Sequence, residues 1–147
     1  GDLDACVAFA KASGSANTDR LAVIGFCWGG RQTWLYAKNN PNVKAAAAFY
    51  GPLTNPKNDL QTQQVLDFAG DLKVPVIGAY GGKDAGIPLE QVETVQEELK
   101  KAGSKSVIYV YPDAPHGFHA DYRPSYRKAD AELAFKRALD FFKANGA

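Results

Sequence analysis

The 147 residues include 17 basic and 16 acidic side chains, for a formal net charge of +1, with 46% apolar and 22% charged residues, the profile of one ordinary globular domain. So even a balance offers no one-signed field for nucleic acid or an anionic membrane, and two cysteines, Cys6 and Cys27, are too few for a disulfide scaffold. The longest apolar runs, Leu21 to Trp28 and Ala45 to Tyr50, fall far short of the ~20 residues that span a bilayer. Neither nucleic acid nor membrane is expected as a partner, and a cytoplasmic location is expected. The sequence has no methionine and begins at Gly1, so a segment upstream is expected to have been removed. The acidic start Gly1-Asp2-Leu3-Asp4 does not read as a signal peptide.

In chain order, Leu3, Cys6, Val7 and Ala10 share one face of a helix that ends near Ser13-Gly14, which places Cys6 in the core. Leu21 to Phe26 is an almost continuous apolar run of strand length, suited to burial on both faces. A helix from about Gly29 to Lys38 follows and is stopped at Asn39-Asn40-Pro41. Val43 to Tyr50 reads as a second strand, Gly51 to Asp59 as a loop, and Leu60 to Phe68 as a short helix. Val74 to Tyr80 is a third strand. After the turn Gly81 to Gly86, Pro88 opens a helix with Leu89, Val92, Val95, Leu99 and Ala102 inward. Ser106 to Tyr111 is a fourth strand and Pro112 to Pro124 a long loop. The last helix carries Ala131, Ala134, Phe135, Ala138, Leu139 and Phe142 as its apolar stripe. Strands alternating with helical stretches predict an α/β domain over residues 1–147: a parallel sheet of about four strands with helices on both faces.

In such a sheet, ligands bind beyond the carboxyl ends of the strands. After the first strand comes Gly25-Phe26-Cys27-Trp28-Gly29-Gly30. Small residues two before and two after Cys27 match a nucleophile elbow, in which the Trp28 amide serves as an oxyanion donor and the positive end of the next helix lowers the thiol pKa. A buried structural cysteine in a glycine-rich turn is the plainer reading of the same residues. Asp84 sits in the turn after the third strand and His116 in the loop after the fourth. The order nucleophile, acid, histidine is that of α/β-hydrolase triads, with each member at the carboxyl end of a strand. His119 and Asp121 raise the question of a metal, but zinc needs three or four ligands and His116 is already committed, so none is expected. Arg123 and Tyr122 in the histidine loop, with Tyr50 after the second strand, are expected to line the pocket, Arg123 facing a substrate carboxylate.

The motifs Gly25-Phe26-Cys27-Trp28-Gly29-Gly30, Phe49-Tyr50-Gly51, Tyr80-Gly81-Gly82-Lys83-Asp84 with Ile87-Pro88, and Tyr111-Pro112-Asp113-Ala114-Pro115-His116-Gly117-Phe118 together resemble the dienelactone hydrolase (carboxymethylenebutenolidase) family, over nearly the whole chain. The resemblance implies an α/β-hydrolase fold and a Cys27-His116-Asp84 triad acting on small esters or lactones through a thioester, without a cofactor. It also implies that this chain corresponds to the carboxyl-terminal half of such a hydrolase. The strands upstream would supply a second oxyanion amide and a glutamate that helps deprotonate the cysteine. The alternative is a non-catalytic half-domain that folds or oligomerises without a complete site. In either case strand 21–26 is expected to lie at a sheet edge and to invite a homodimer.

Overall fold

The computed structural model describes residues 1–55, 58–59 and 61–147. Four strands form one parallel sheet in the order β1 (Ala22–Phe26), β2 (Ala45–Phe49), β3 (Val76–Gly81) and β4 (Val107–Tyr111). Around it lie α1 (Asp2–Ala12), α2 (Trp28–Asn39), α3 (Leu89–Lys101) and α4 (Lys128–Ala144). Every residue of β2 and β3 is buried, as expected for strands covered on both faces. The four consecutive alanines of β2 leave room for Trp34 of α2, which is fully buried and donates from Nε1 to the Tyr80 hydroxyl at 2.9 Å. Tyr80 passes the bond on to the Gly51 carbonyl at 3.1 Å, so the core fixes the loop that leaves β2. Among the described residues, no helix is long and apolar enough to cross a membrane.

The strands end in register. Phe26 pairs with Phe49 and Gly81 with Tyr111, so Cys27, Tyr50 and the turns leading to Asp84 and His116 all emerge along one edge of the sheet.

Several expectations are corrected. β1 lies at the sheet edge, as expected, but it is not buried on both faces: Ile24 is 39% and Phe26 36% exposed. α1 buries no residue and Cys6 is exposed, because polar contacts hold the helix: Asp4 accepts from the Tyr36 hydroxyl at 3.0 Å and from Asn40 at 3.2 Å. No α-helix forms over the described part of 60–68. Two 3-10 turns, Val65–Asp67 and Ala69–Asp71, take its place, with the Gln64 side chain tied to Asn55 of the preceding loop. The expected start of that helix at Leu60, and the expected loop at 56–57, lie outside the described residues. In α3, Val92, Val95 and Leu99 are buried, but Leu89 lies exposed in its first turn and Ala102 beyond its end is exposed. In α4 only Ala131, Ala134 and Ala138 are buried. Small residues let the helix approach the sheet closely, which pushes Phe135 and Leu139 to the flanks, where both are exposed, and leaves Phe142 half-buried.

Candidate active site

β1 runs directly into α2 with Cys27 as the N-cap residue, at φ 52° and ψ −122°. A positive φ at a non-glycine residue is strained, and the surroundings hold it in place. The Cys27 amide donates to the Phe49 carbonyl at 3.0 Å, and its own carbonyl accepts from the Gly30 and Arg31 amides at 3.0 and 3.3 Å. A Cβ at Gly25 would stand 2.2 Å from the Gly29 carbonyl oxygen, and one at Gly30 2.7 Å from that of Phe49, whereas one at Gly29 would meet nothing within 4 Å. The tight approach that fixes the elbow therefore sits two before and three after Cys27, not two after it. As the first residue of α2, Trp28 has an amide with no partner inside the helix.

Tyr50 also has positive φ, 39°. Its amide donates to the Ala79 carbonyl at 2.8 Å, and its ring stands edge-on to His116 with centroids 5.1 Å apart. Burial, reinforced by Cys27, pushes its phenol pKa well above the ordinary value, so it stays protonated.

The turns after β3 and β4 are fastened to each other. Gly82 donates to the Tyr111 carbonyl at 2.7 Å and Lys83 to that of Ala114 at 3.0 Å, while Lys83 and Asp113 form an ion pair at 2.6 Å. A Cβ at Gly81 would be 2.3 Å from the Ala114 oxygen, so glycine is what lets the two turns meet. Across this junction Asp84 Oδ2 lies 2.7 Å from His116 Nδ1, and Asp84 Oδ1 accepts from the Gly86 amide at 2.9 Å. The Asp84 side chain is 1% exposed and that of His116 39%. An ionised carboxylate only accepts, so in the neutral imidazole Nδ1 carries the proton and Nε2 keeps its lone pair.

Cys27, Tyr50, Tyr122 and Arg123 line one cavity of about 540 Å³. The Asp84–His116 pair stands beside it, joined through the Tyr50 ring. Sequence reasoning missed Phe26, Tyr126, Glu132 and Phe135 of the wall, and it weighed His119 only as a metal ligand. The helical period of α4 marked Phe135 for the core, and nothing in the sequence signals that it turns to the cavity instead. Among the described residues, no group of three His, Cys, Asp or Glu is arranged to hold a metal ion. Arg123 has no ion-pair partner among the described residues and packs over its neighbour Tyr122, 5.6 Å from the ring centroid.

The expectation of a lowered thiol pKa is reversed. Burial pushes the Cys27 thiol up and Asp84 adds to the rise, with Arg123 opposing. Withdrawal from water penalises the thiolate more than the cation at the cavity rim offsets.

The model of the dienelactone hydrolase family matches residues 1–146. A "Putative carboxymethylenebutenolidase" of Methylorubrum extorquens is 52% identical over 145 residues, 99% of this chain and 50% of that protein. One of Escherichia coli (strain K12) is 50% identical over 145 residues, 99% of this chain and 53% of that protein. The chain thus spans about half the length of these curated relatives. The crystal structure of a "Putative Dienelactone Hydrolase" from Klebsiella pneumoniae subsp. pneumoniae superimposes with a TM-score of 0.91 at 46% identity, covering 97% of this chain and 59% of that one. With motifs, fold and matches in agreement over nearly its whole length, the chain belongs to the dienelactone hydrolase family.

Proposed function

We propose that this chain carries the hydrolytic centre of an enzyme that cleaves small esters or lactones, with Cys27 as nucleophile, His116 as general base and acid, and Asp84 as the group that orients His116. The observation that carries the reading is the 2.7 Å Asp84–His116 contact beside a cavity that a strained elbow lines with a thiol. His116 Nε2 takes the Cys27 proton as sulfur attacks the acyl carbon, and the Trp28 amide holds the oxyanion. His116 then protonates the departing alkoxide or enolate, leaving a thioester. Water, losing a proton to the same nitrogen, attacks the thioester and releases the acid and the thiol. The raised pKa of Cys27 means that the resting thiol is protonated, so His116 must take the proton during the reaction itself.

Tyr50, Tyr122 and Arg123 bind the acyl group, with Arg123 facing a carboxylate on the substrate. The family resemblance assigns a second oxyanion donor to a strand upstream of the elbow. A site working with the Trp28 amide alone is expected to turn over roughly 10²–10³-fold more slowly than one with both donors. The test is turnover of para-nitrophenyl acetate by the chain and by Cys27→Ala: loss of activity in the variant supports the reading. Equal rates would leave a folded module without a catalytic thiol.

The exposed edge of β1 supports a further proposal, a symmetric homodimer in which residues 21–26 of two copies meet. Sedimentation at micromolar concentration should show a dimer, and a stable monomer would rule the pairing out.

A further inference from the structure

The cavity that Cys27 lines also holds an imidazole, that of His119, which the proposed chemistry does not use. His119 lies in the same loop as His116, and its ring is gripped by three others. Its centroid is 5.1 Å from that of Phe26, 5.2 Å from Phe49 and 5.6 Å from Phe135. These rings belong to β1, β2 and α4, so three separate elements fix the imidazole plane.

Neither ring nitrogen of His119 has a hydrogen-bond partner among the described residues, and the half-buried ring opens onto the cavity. Burial lowers its pKa below the ordinary imidazole value, against the opposing pull of Asp121. At neutral pH the ring therefore offers one N–H donor and one lone pair. Among the aromatic rings that surround it, a rigid polar edge of this kind is what fixes the orientation of a ligand. The charged groups of the same cavity are Arg123 and Asp121 on the loop and Glu132 on α4, and these suit charged parts of a ligand. The imidazole suits a neutral one.

We propose that His119 determines specificity by hydrogen-bonding a neutral hydroxyl or carbonyl oxygen on the acyl part of the ester or lactone. The inference rests on the reading of Cys27 as nucleophile, which brings the acyl carbon of the ester or lactone into the cavity that His119 lines.

The test compares para-nitrophenyl butyrate with its α-hydroxy and β-hydroxy analogues, which share the leaving group and chain length and differ by one hydroxyl. The full chain should favour at least one hydroxylated ester by about tenfold in kcat/KM, the scale of one hydrogen bond in a half-open site. His119→Phe, which keeps a ring among rings, should erase that preference, lowering kcat/KM for the favoured hydroxylated ester about tenfold more than for the butyrate. His119→Asn, which keeps a donor and an acceptor, should restore part of it. A preference that survives in His119→Phe, an absence of preference in the unaltered chain, or an equal loss on all three esters would overturn the proposal. Absence of any turnover would instead count against the reading of Cys27, and His119 is then judged by binding. Titration with sodium β-hydroxybutyrate, α-hydroxybutyrate and butyrate, followed by proton–nitrogen correlation spectra of the ring, should shift the His119 nitrogens with a hydroxy acid and not with butyrate. Failure of both hydroxy acids to shift them would overturn the inference.

Discussion

His116 Nδ1 lies 2.7 Å from Asp84 Oδ2 across a separation of 32 residues, and the contact exists because two turns at the ends of β3 and β4 are bonded together backbone to backbone. The carboxylate is sealed from solvent, whereas the imidazole is partly open. Replacing Asp84 with Asn keeps the shape but presents the wrong partner to Nδ1–H and favours the wrong tautomer. Esterase turnover should fall by about 10³–10⁴-fold, on the scale of the same change in other triads, with little loss of fold. Retention of turnover in Asp84→Asn would show that the pair does not serve catalysis.

The Cys27 thiol, held above its ordinary pKa by burial, should be a slow nucleophile toward a small alkylating agent at neutral pH. Its iodoacetamide rate should rise about tenfold per pH unit between roughly pH 6 and 8, because the thiolate fraction grows by that factor below the pKa. Arg123 opposes the shift, so Arg123→Gln should slow the reaction at fixed pH. Cys6, exposed on α1, supplies an internal comparison in the same sample, read by peptide mass spectrometry. A Cys27 rate that is flat across this range would show a thiolate already formed.

The elbow makes a prediction about stability. At Gly25 an added methyl group meets backbone 2.2 Å away and can move nothing cheaply, so Gly25→Ala should lose about 1–3 kcal/mol or fail to fold. At Gly29 the same methyl group meets open space inside α2, where alanine is favoured by up to about 1 kcal/mol. Urea unfolding of the two variants gives the comparison. Equal losses would mean that the crowding at Gly25 relaxes.

Arg31 is fully buried beneath the elbow. It donates to the Gln64 side chain at 3.3 Å and to the Gln63 carbonyl at 2.6 Å, its Nε has no partner, and burial lowers its pKa. Arg31→Ala leaves a cavity and two acceptors without their donor, a loss of about 2–3 kcal/mol. Arg31→Met fills the space and removes the desolvated charge, so it should be the milder change. The opposite order in thermal melts would assign the guanidinium a net stabilising role.

Much of this was legible in the sequence, for reasons that differ by residue. Strand β2 follows from a short apolar run bounded by turn residues, and the placing of Cys27, Asp84 and His116 just beyond strand ends follows from the positions of those runs. Helical periodicity misled at Cys6 and at Phe135. Period identifies the apolar side of a helix, but not whether another element covers it. In the described part of the expected helix over 60–68, a short 3-10 turn forms instead and Gln64 bonds to the backbone of Asn55, a contact that no local pattern announces. The same limit hid His119 as a cavity residue, since its three aromatic neighbours are distant in sequence.

The most direct test of the central claim is to trap the acyl group. The chain is mixed with para-nitrophenyl acetate, quenched in acid, and its peptides are mapped by mass. An acetyl group is expected on Cys27, accumulating in His116→Ala if acylation persists there and absent from Cys27→Ala, which should also lack turnover. Undiminished turnover in Cys27→Ala, or acetyl confined to Cys6, would contradict it.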